Sequence, residues 1–218
     1  MNIRIVIAAL ATLFVAHVTP ASATESSGCG AYVFSNSPAA VSAGKAVPAS
    51  ESLYWYMDDA RAERAGIWSC QPITAPFDDV AKAANISPSI LAAVALNETS
   101  RNGKPWPWTL DVAGHPFFFH SRDEAYRAAS YLLAHHFVWF DIGIMQVNWK
   151  YNGWRFKNVW QALQPSINMS AAANILNTNF DKTHSWARAV ELYHSANRYL
   201  GRTYLADFLR HLQVVAER

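Results

Sequence analysis

Residues 87–99 read Ser-Pro-Ser-Ile-Leu-Ala-Ala-Val-Ala-Leu-Asn-Glu-Thr and predict a helix. Ser87 followed by Pro88 indicates where it starts, because serine caps helix N-termini and proline suits the first helical position. Residues at positions i, i+3, i+4 and i+7 share one helix face. Here those residues are Leu91, Val94, Ala95 and Glu98. The pattern therefore predicts an apolar helix face that also carries a carboxylate near the helix C-terminus.

A glutamate in the place of Glu98 is disfavoured as an anion for two reasons. Burial penalises the charged form, and the C-terminal end of a helix carries partial negative charge. Both effects raise the pKa, as a general acid working near neutral pH requires. The alternative interpretation is that Glu98 ends a helix in water and has no catalytic role.

Outward from this helix, the sequence predicts a mainly α fold (α+β) with one small β-hairpin. The hairpin consists of an extended segment at 105–112, a turn at 113–116 and a returning strand at 117–119. Ser121 and Glu124 form a predicted capping box that starts a helix reaching about His136. Further helices are predicted at 51–67, 77–84, 156–163, 170–180, 186–193 and 203–215.

Four segments together resemble the soluble lytic transglycosylase family. In that family a helix ends in Glu-Ser and a Gly-Leu-Met-Gln segment follows, and Glu98-Thr99 and Gly143-Ile144-Met145-Gln146 are similar to these. Leu192-Tyr193-His194-Ser195 resembles a later Ala-Tyr-Asn-like segment, and 168–176 resembles a helix that starts at Asn and ends at Leu. All four occur in the family's order, and the ordered set is more specific than any one segment.

The chain departs from the family pattern at several positions. Thr99 replaces the usual serine, Ala172 lies where the family has glycine, and His194-Ser195 replaces asparagine and a small residue. Gly143 follows Glu98 by 45 residues, which is longer than the usual spacing. The added hairpin and capped helix look like the variant associated with secretion and conjugation machines.

The resemblance implies a lysozyme-like fold and cleavage of peptidoglycan glycan strands without a cofactor. Glu98 would protonate the glycosidic oxygen between N-acetylmuramic acid and N-acetylglucosamine, and bond cleavage passes through an oxocarbenium-like state. Glu98 would then act as base while the muramic acid 6-hydroxyl attacks C1, giving a 1,6-anhydro product. No second carboxylate is needed in this reaction.

The resemblance also implies roles around Glu98. Tyr193 would hydrogen-bond and orient Glu98, while Thr99, Met145, Gln146 and Asn148 would bind substrate. Trp106 and Trp108 are candidates for stacking on sugar rings, or else for a packed hairpin. Gln146 and Tyr193 have the alternative interpretation of buried polar groups, and Met145 that of a core residue. The nearest candidates for a second carboxylate are Asp111, Asp123 and Asp141.

The N-terminus is typical of a secretory signal peptide. Arg4 lies in a short positive region, 5–18 is almost wholly apolar, and Ala21-Ser22-Ala23 is a cleavage motif. The apolar run is shorter than the roughly 20 residues of a membrane span, although an uncleaved anchor remains the alternative. We therefore expect cleavage after Ala23, a periplasmic location and no stable membrane span.

Export predicts the state of the two cysteines. Cys29 and Cys70 are the only ones in the chain, and an oxidising compartment favours a disulfide between them. A metal pair or a catalytic thiol is the alternative. The disulfide would fix an irregular N-terminal arm at 24–76, which precedes a single domain at 77–218.

Composition excludes several other classes of protein. The 218 residues carry a formal charge of +2, which argues against a nucleic-acid binder. The eight histidines show no metal-ligand spacing, so no metal is expected. The remaining hypotheses are a lytic transglycosylase serving a secretion, pilus or conjugation apparatus, a lysozyme-type hydrolase, and a catalytically silent glycan-binding module.

Overall fold

The computed structural model describes residues 34–50, 53–69 and 71–217. The predicted signal peptide, Cys29 and Cys70 lie outside these residues, as does the disulfide predicted to join the two cysteines. Within the part of the chain that the structure describes, no helix has the length and apolar composition needed to cross a membrane.

Helices make up most of the described chain, and they are numbered here in chain order. They are α1 (Pro38–Ser42), α2 (Tyr54–Glu63), α3 (Asp78–Ala84), α4 (Pro88–Thr99), α5 (Arg122–Ala134), α6 (Trp149–Asn152), α7 (Val159–Ala162), α8 (Pro165–Thr183), α9 (Trp186–His194) and α10 (Arg198–Ala216). Short 3-10 turns lie at Gly66–Trp68, Ala75–Phe77 and Gly153–Arg155.

The strands are short and form small sheets. They are β1 (Phe34–Ser35), β2 (Val47–Pro48), β3 (Ser100–Arg101), β4 (Lys104–Pro105), β5 (Thr109–Val112), β6 (His115–Phe118), β7 (Phe140–Ile142) and β8 (Val147–Asn148). The first two pair in parallel and β3 pairs with β4 in antiparallel fashion. The largest sheet is antiparallel, with strand order β6-β5-β7-β8. The prediction of a mainly helical α+β fold is confirmed.

The predicted hairpin is present, but its turn is tighter than expected. Val112 pairs with His115, so only Ala113 and Gly114 connect β5 to β6. Both have positive φ, +56° and +81°, which matches the twist that a two-residue hairpin turn needs. The prediction that His115 and Pro116 belong to the turn is wrong, because they pair with Val112 and Asp111 in the sheet.

Helix α4 lies at the centre of the core. Every residue from Leu91 to Leu96 is buried, so the helix is surrounded by protein and not packed along a single face. Helices α3 and α10 and strand β4 pack against it. A helix that is apolar on all sides is typical of such a central position. The partly buried Glu98 near its end is thereby held on a rigid element.

The helix starts follow the predicted caps only in part. Ser87 has the extended backbone of an N-cap, but its side chain makes no capping hydrogen bond. The Ser121 hydroxyl accepts from the Glu124 amide, as predicted. The Glu124 carboxylate accepts from the His120 amide, one residue earlier than a standard capping box would place it.

Helix α2 attaches the N-terminal segment to the rest of the chain through three carboxylates. Asp58 Oδ2 accepts from the Ser166 amide at 3.0 Å, and Glu63 Oε1 accepts from Trp108 Nε1 at 2.5 Å. Asp59 Oδ2 lies 3.7 Å from the Arg122 guanidinium. Burial raises the pKa of Asp59 to about 8, although Arg122 opposes the shift. These contacts dock the helix on the start of α5, the residue before β5 and the start of α8.

Candidate active site

A cleft of about 340 Å³ opens where the ends of α4 and α9 meet the loop between β7 and β8. Glu98 lines it from α4, and Asp141 lines it from β7. The remaining lining residues are Gln146, Val147, Asn148, Tyr151, Asn152, Ile175, Leu192, Tyr193, His194, Ser195 and Ala196. One wall is therefore helical and the other comes from the sheet and α6.

The Glu98 carboxyl is held by a tyrosine from the last helix. The Tyr204 hydroxyl donates to Glu98 Oε1 at 2.6 Å. Because Tyr204 is a donor to this oxygen, a proton carried by the carboxyl group resides on Oε2. Oε2 is thus the oxygen of Glu98 that can donate a proton to a ligand.

Burial raises the pKa of Glu98 to about 8. The hydrogen bond from Tyr204 favours the charged form and opposes this shift, whereas the negative charges of Asp141 and Asp111 add to it. At neutral pH the carboxyl group is mostly protonated. Such a group can act as a general acid, and the hydrogen bond from Tyr204 stabilises the anion left behind.

Tyr204 is itself positioned by two neighbours. The His194 ring stacks on the tyrosine ring with centroids 4.7 Å apart and planes 6° from parallel. Asn97 Nδ2 donates to the Tyr204 carbonyl at 3.4 Å, and Asn97 Oδ1 lies 3.0 Å from His211 Nδ1. These contacts tie α10 to the end of α4, beside Glu98.

The loop between β7 and β8 turns sharply at two residues with positive φ. Gly143 has φ +83° and Gln146 has φ +46°, a conformation that a residue with a side chain rarely adopts. Two hydrogen bonds stabilise Gln146 in this conformation, because its Nε2 donates to the carbonyls of Gly143 at 2.7 Å and Thr109 at 3.1 Å. Both amide hydrogens are thus used within the protein, and Oε1 is the remaining polar atom of the side chain.

Asn168 anchors the same loop from beneath. It is fully buried in α8, where Nδ2 donates to the carbonyls of Ile142 and Ala162, each at 2.9 Å. Its Oδ1 accepts from the Met145 amide at 2.9 Å. A Cβ added at Gly143 would lie 2.6 Å from Asn168 Nδ2, so glycine is needed there for space as well as for its φ angle.

A second carboxylate, Asp141, lines the cleft from β7. Asn148 Nδ2 donates to its Oδ1 at 2.6 Å. Burial raises the pKa of Asp141 to about 6; the hydrogen bond from Asn148 opposes this shift and the charge of Asp111 adds to it. Near neutral pH the cleft therefore holds one mostly protonated carboxyl and one mostly ionised carboxylate.

Residues 75–206, more than half of the chain, match the family profile of the transglycosylase SLT domain. The chain belongs to that family. A search of curated proteins and a search of solved structures gave no significant match.

Several residues predicted from the sequence line the cleft of the SLT domain. They are Glu98, Gln146, Asn148 and Tyr193. The predicted hydrogen bond between Tyr193 and Glu98 is wrong, because the Tyr193 hydroxyl donates to the Met145 carbonyl at 2.7 Å. Tyr204 makes the bond to Glu98 instead. Tyr193 thus fixes the loop opposite Glu98.

Thr99 and Met145 are fully buried, so the prediction that their side chains contact substrate is wrong. Thr99 Oγ1 lies 3.0 Å from the carbonyls of both Ala95 and Ile144 and accepts from the Trp106 amide at 3.3 Å. It joins the end of α4 to the loop that follows β7. The hydroxyl shared by serine and threonine suffices for this structural role.

The two tryptophans of the hairpin segment lie away from the cleft of the SLT domain. Trp108 is 1% exposed, so the prediction that it stacks on a sugar is wrong and the packed-hairpin alternative is correct for it. Trp106 is half-buried, donates from Nε1 to the Phe119 carbonyl and has Arg101 over its ring. It lines a different cavity of about 290 Å³, to which Glu98 does not contribute.

Sequence reasoning missed Tyr204, Tyr151 and Asn152. A signal for Tyr204 existed, since it lies four residues before Phe208 on the buried face of α10. A tyrosine hydroxyl on an apolar helix face is expected to have a hydrogen-bond partner inside the protein. Among the residues that the structure describes, no group of three His, Cys, Asp or Glu side chains is arranged to hold a metal ion.

Proposed function

We propose that this protein is a peptidoglycan lytic transglycosylase with Glu98 as its general acid and base. It would cleave the β-1,4 bond between N-acetylmuramic acid and N-acetylglucosamine and release a 1,6-anhydro-muramyl end. The SLT family supports the reaction class. The observation that carries the proposal is a mostly protonated Glu98 that lines an open cleft and accepts a hydrogen bond from Tyr204.

The proposed reaction balances without water. The proton on Glu98 Oε2 moves to the glycosidic oxygen as its bond to C1 of the muramic acid breaks. Tyr204 stabilises the resulting carboxylate through Oε1. The carboxylate then takes the proton of the 6-hydroxyl while this oxygen forms a bond to C1, and Glu98 is again protonated. One bond to C1 is replaced by another, so no external nucleophile is consumed.

Two side chains are proposed to contact the glycan directly. Gln146 Oε1 is an acceptor for an N-acetyl or hydroxyl group, because both hydrogens of its amide are engaged in the loop. Asn148 has one amide hydrogen beyond the one it donates to Asp141. Both residues line the cleft beside Glu98.

Asp141 favours one alternative function, a lysozyme-type hydrolase. It lines the same cleft as Glu98 and is largely ionised at neutral pH, as a nucleophile or a base for water must be. Asn148 occupies one of its oxygens, which supports an orienting role for Asp141 instead. The product of the reaction distinguishes the two functions.

We expect digestion of purified sacculi in oxygen-18-labelled water to yield muropeptides with anhydro ends and no label. The ends should resist borohydride reduction and be lighter than hydrolytic products by one water molecule, as read by mass spectrometry. The Asp141→Asn variant should give the same type of product, even where its rate is lower.

Labelled, reducible ends would show the hydrolase. An absence of any released fragment, together with retained binding to sacculi, would show a catalytically silent glycan-binding module. Either result would overturn the proposed reaction.

We expect kcat/KM to fall as the pH rises through about 8, because a general acid works only while protonated. Tyr204→Phe should move this alkaline limb to higher pH, since it removes a hydrogen bond that favours the anion. Tyr193→Phe is the matched control: its hydroxyl binds the Met145 carbonyl and not Glu98, so the limb should stay in place. A limb that moves to lower pH in Tyr204→Phe, or moves equally in both variants, would contradict this assignment.

The proposed location is the periplasm, on the strength of the signal-peptide pattern at 1–23. Service to a secretion, pilus or conjugation apparatus is proposed from the long insertion between Glu98 and Gly143. The segment between these two residues contains β3 to β7 and α5.

A further inference from the structure

A third space, an outer cavity of about 180 Å³, lies next to the cleft. Asp141 and Asn148 contribute to the lining of both spaces, so the two meet at this hydrogen-bonded pair. The outer cavity is otherwise lined by Asp111, Ala113, Gly114, Trp139 and Phe140. A chain-like ligand that fills the cleft at Glu98 can therefore continue across Asp141 and Asn148.

Two exposed aromatic side chains stand along this path. Trp139, in the outer cavity, is 51% exposed, and Tyr151, in the cleft, is 64% exposed. Their ring centroids are 5.7 Å apart and the planes are 83° from parallel. We name these two side chains the aromatic ledge. Large aromatic groups in solvent are informative because each could bury a large apolar area.

The ledge is built on rigid elements. Trp139 directly precedes β7, and Tyr151 lies in α6, directly after β8. Trp149 holds α6 in place, since its ring stacks between Phe140 at 5.7 Å and Phe156 at 6.2 Å. The backbone of both ledge residues is thus held in place, and the contact between the two rings restricts their side chains before a ligand binds.

We propose that the aromatic ledge is a glycan-binding subsite that extends the cleft by further sugar units. Trp139 and Tyr151 keep about half or more of their side chains in solvent, and the C–H face of a pyranose can pack against this exposed ring surface. Lys150 Nζ lies over the Trp139 ring, 5.5 Å from its centroid, and is a donor beside the same surface. Asp111 and Asp141 place carboxylate oxygens beside them as acceptors for sugar hydroxyls. Carboxylate acceptors and the Lys150 ammonium donor thus border the ledge, which matches the mixture of hydroxyl and N-acetyl groups on a glycan. The inference rests on the proposed function, since the occupant is the same glycan strand.

The test measures binding and not cleavage. In the full mature chain carrying Glu98→Gln, calorimetry with soluble N-acetylglucosamine oligomers should give tighter binding for the hexasaccharide than for the trisaccharide. Adding Trp139→Ala should weaken hexasaccharide binding about ten-fold, equal to about 1.4 kcal/mol. Trisaccharide binding should stay within about two-fold, because a short ligand fills the cleft alone.

Tyr199→Ala is the matched control. Tyr199 is an aromatic residue of α10 that is 78% exposed and lines neither space. Its removal should leave both oligomers unaffected. Trp139→Phe retains an aromatic ring and should keep most of the increase in affinity from the trisaccharide to the hexasaccharide. This variant separates loss of stacking from loss of folding.

The subsite would be overturned if Trp139→Ala did not reduce the difference in affinity between the hexasaccharide and the trisaccharide. It would also be overturned if the Glu98→Gln protein without this change bound both oligomers equally well. In either case the ledge would not be a glycan subsite. If the proposed catalytic function is wrong but the subsite is right, wild type will release no fragments from sacculi while the Trp139-dependent binding of the hexasaccharide persists.

Discussion

We expect Glu98→Gln to lower the rate of muropeptide release by about 100- to 10,000-fold, the usual contribution of a general acid–base group. Glutamine keeps the size of the side chain and an oxygen for the Tyr204 hydroxyl, but it has no proton to give to the glycosidic oxygen. Initial rates on purified sacculi, followed by chromatography of soluble fragments, measure the effect. The fall should appear in kcat, because the proton is transferred only in the chemical step.

Glu217→Gln is a suitable control for the same chemical change at an exposed position. Glu217 lies at the end of α10, where its carboxylate accepts from Gln213. It should retain the wild-type rate. Equal release of fragments by Glu98→Gln and wild type would remove Glu98 as the acid.

Loss of activity in Glu98→Gln should come with a gain in thermal stability at neutral pH. Burial raises the pKa of Glu98 in the folded state from 4.5 to about 8, so the folded protein resists ionisation that the unfolded chain permits. The resulting loss in the free energy of unfolding is absent below about pH 4.5, grows as the pH rises to about 8 and is constant above about pH 8. The melting temperature of the variant should exceed that of wild type at pH 8 and match it near pH 4.

The sequence predicts the position of Glu98 well because the information is local. Its helix face and the helix start at Ser87-Pro88 lie within one short segment, and helical spacing alone puts Glu98 on the side of Leu91 and Val94. The order of the family segments then brings Gln146 and Tyr193 to the same site. Local patterns of this kind are also the reason why the overall helical fold was predictable.

The partners of these residues were not predictable in the same way. Tyr204 is 106 residues from Glu98 in the chain, and their hydrogen bond depends on how α10 packs against α4. Tyr193 was found from its motif, but the motif does not state which acceptor its hydroxyl meets. Both contacts are set by tertiary packing, which a single sequence does not reveal.

The burial of the hairpin tryptophans also depends on tertiary packing and was not predictable from the sequence. Trp106 and Trp108 lie two residues apart and each directly follows a proline, so the sequence gives no reason to bury one more than the other. Trp108 can be buried because the Glu63 carboxylate accepts a hydrogen bond from its Nε1, which compensates for removing this polar group from water. Helix α2, which contributes Glu63, falls within the helix predicted at 51–67, but the sequence does not show that it packs against Trp108.

We expect Asn168→Ala to destabilise the fold by about 3–5 kcal/mol. The substitution leaves three buried backbone groups without their partner, the carbonyls of Ile142 and Ala162 and the amide of Met145. Each such group costs about 1–3 kcal/mol when it is left unsatisfied. Urea unfolding followed by circular dichroism gives the free energy of unfolding.

Two further variants define the origin of this effect. Asn174→Ala alters an exposed position of the same helix and should change the free energy of unfolding by less than about 0.5 kcal/mol. Asn168→Asp retains an acceptor for the Met145 amide but sets a carboxylate oxygen against the carbonyls of Ile142 and Ala162, so it should be at least as damaging as alanine. If Asn168→Asp were instead close to wild type, the two donated bonds would contribute little, and the loop carrying Gln146 would have to be held by Tyr193 and Thr99.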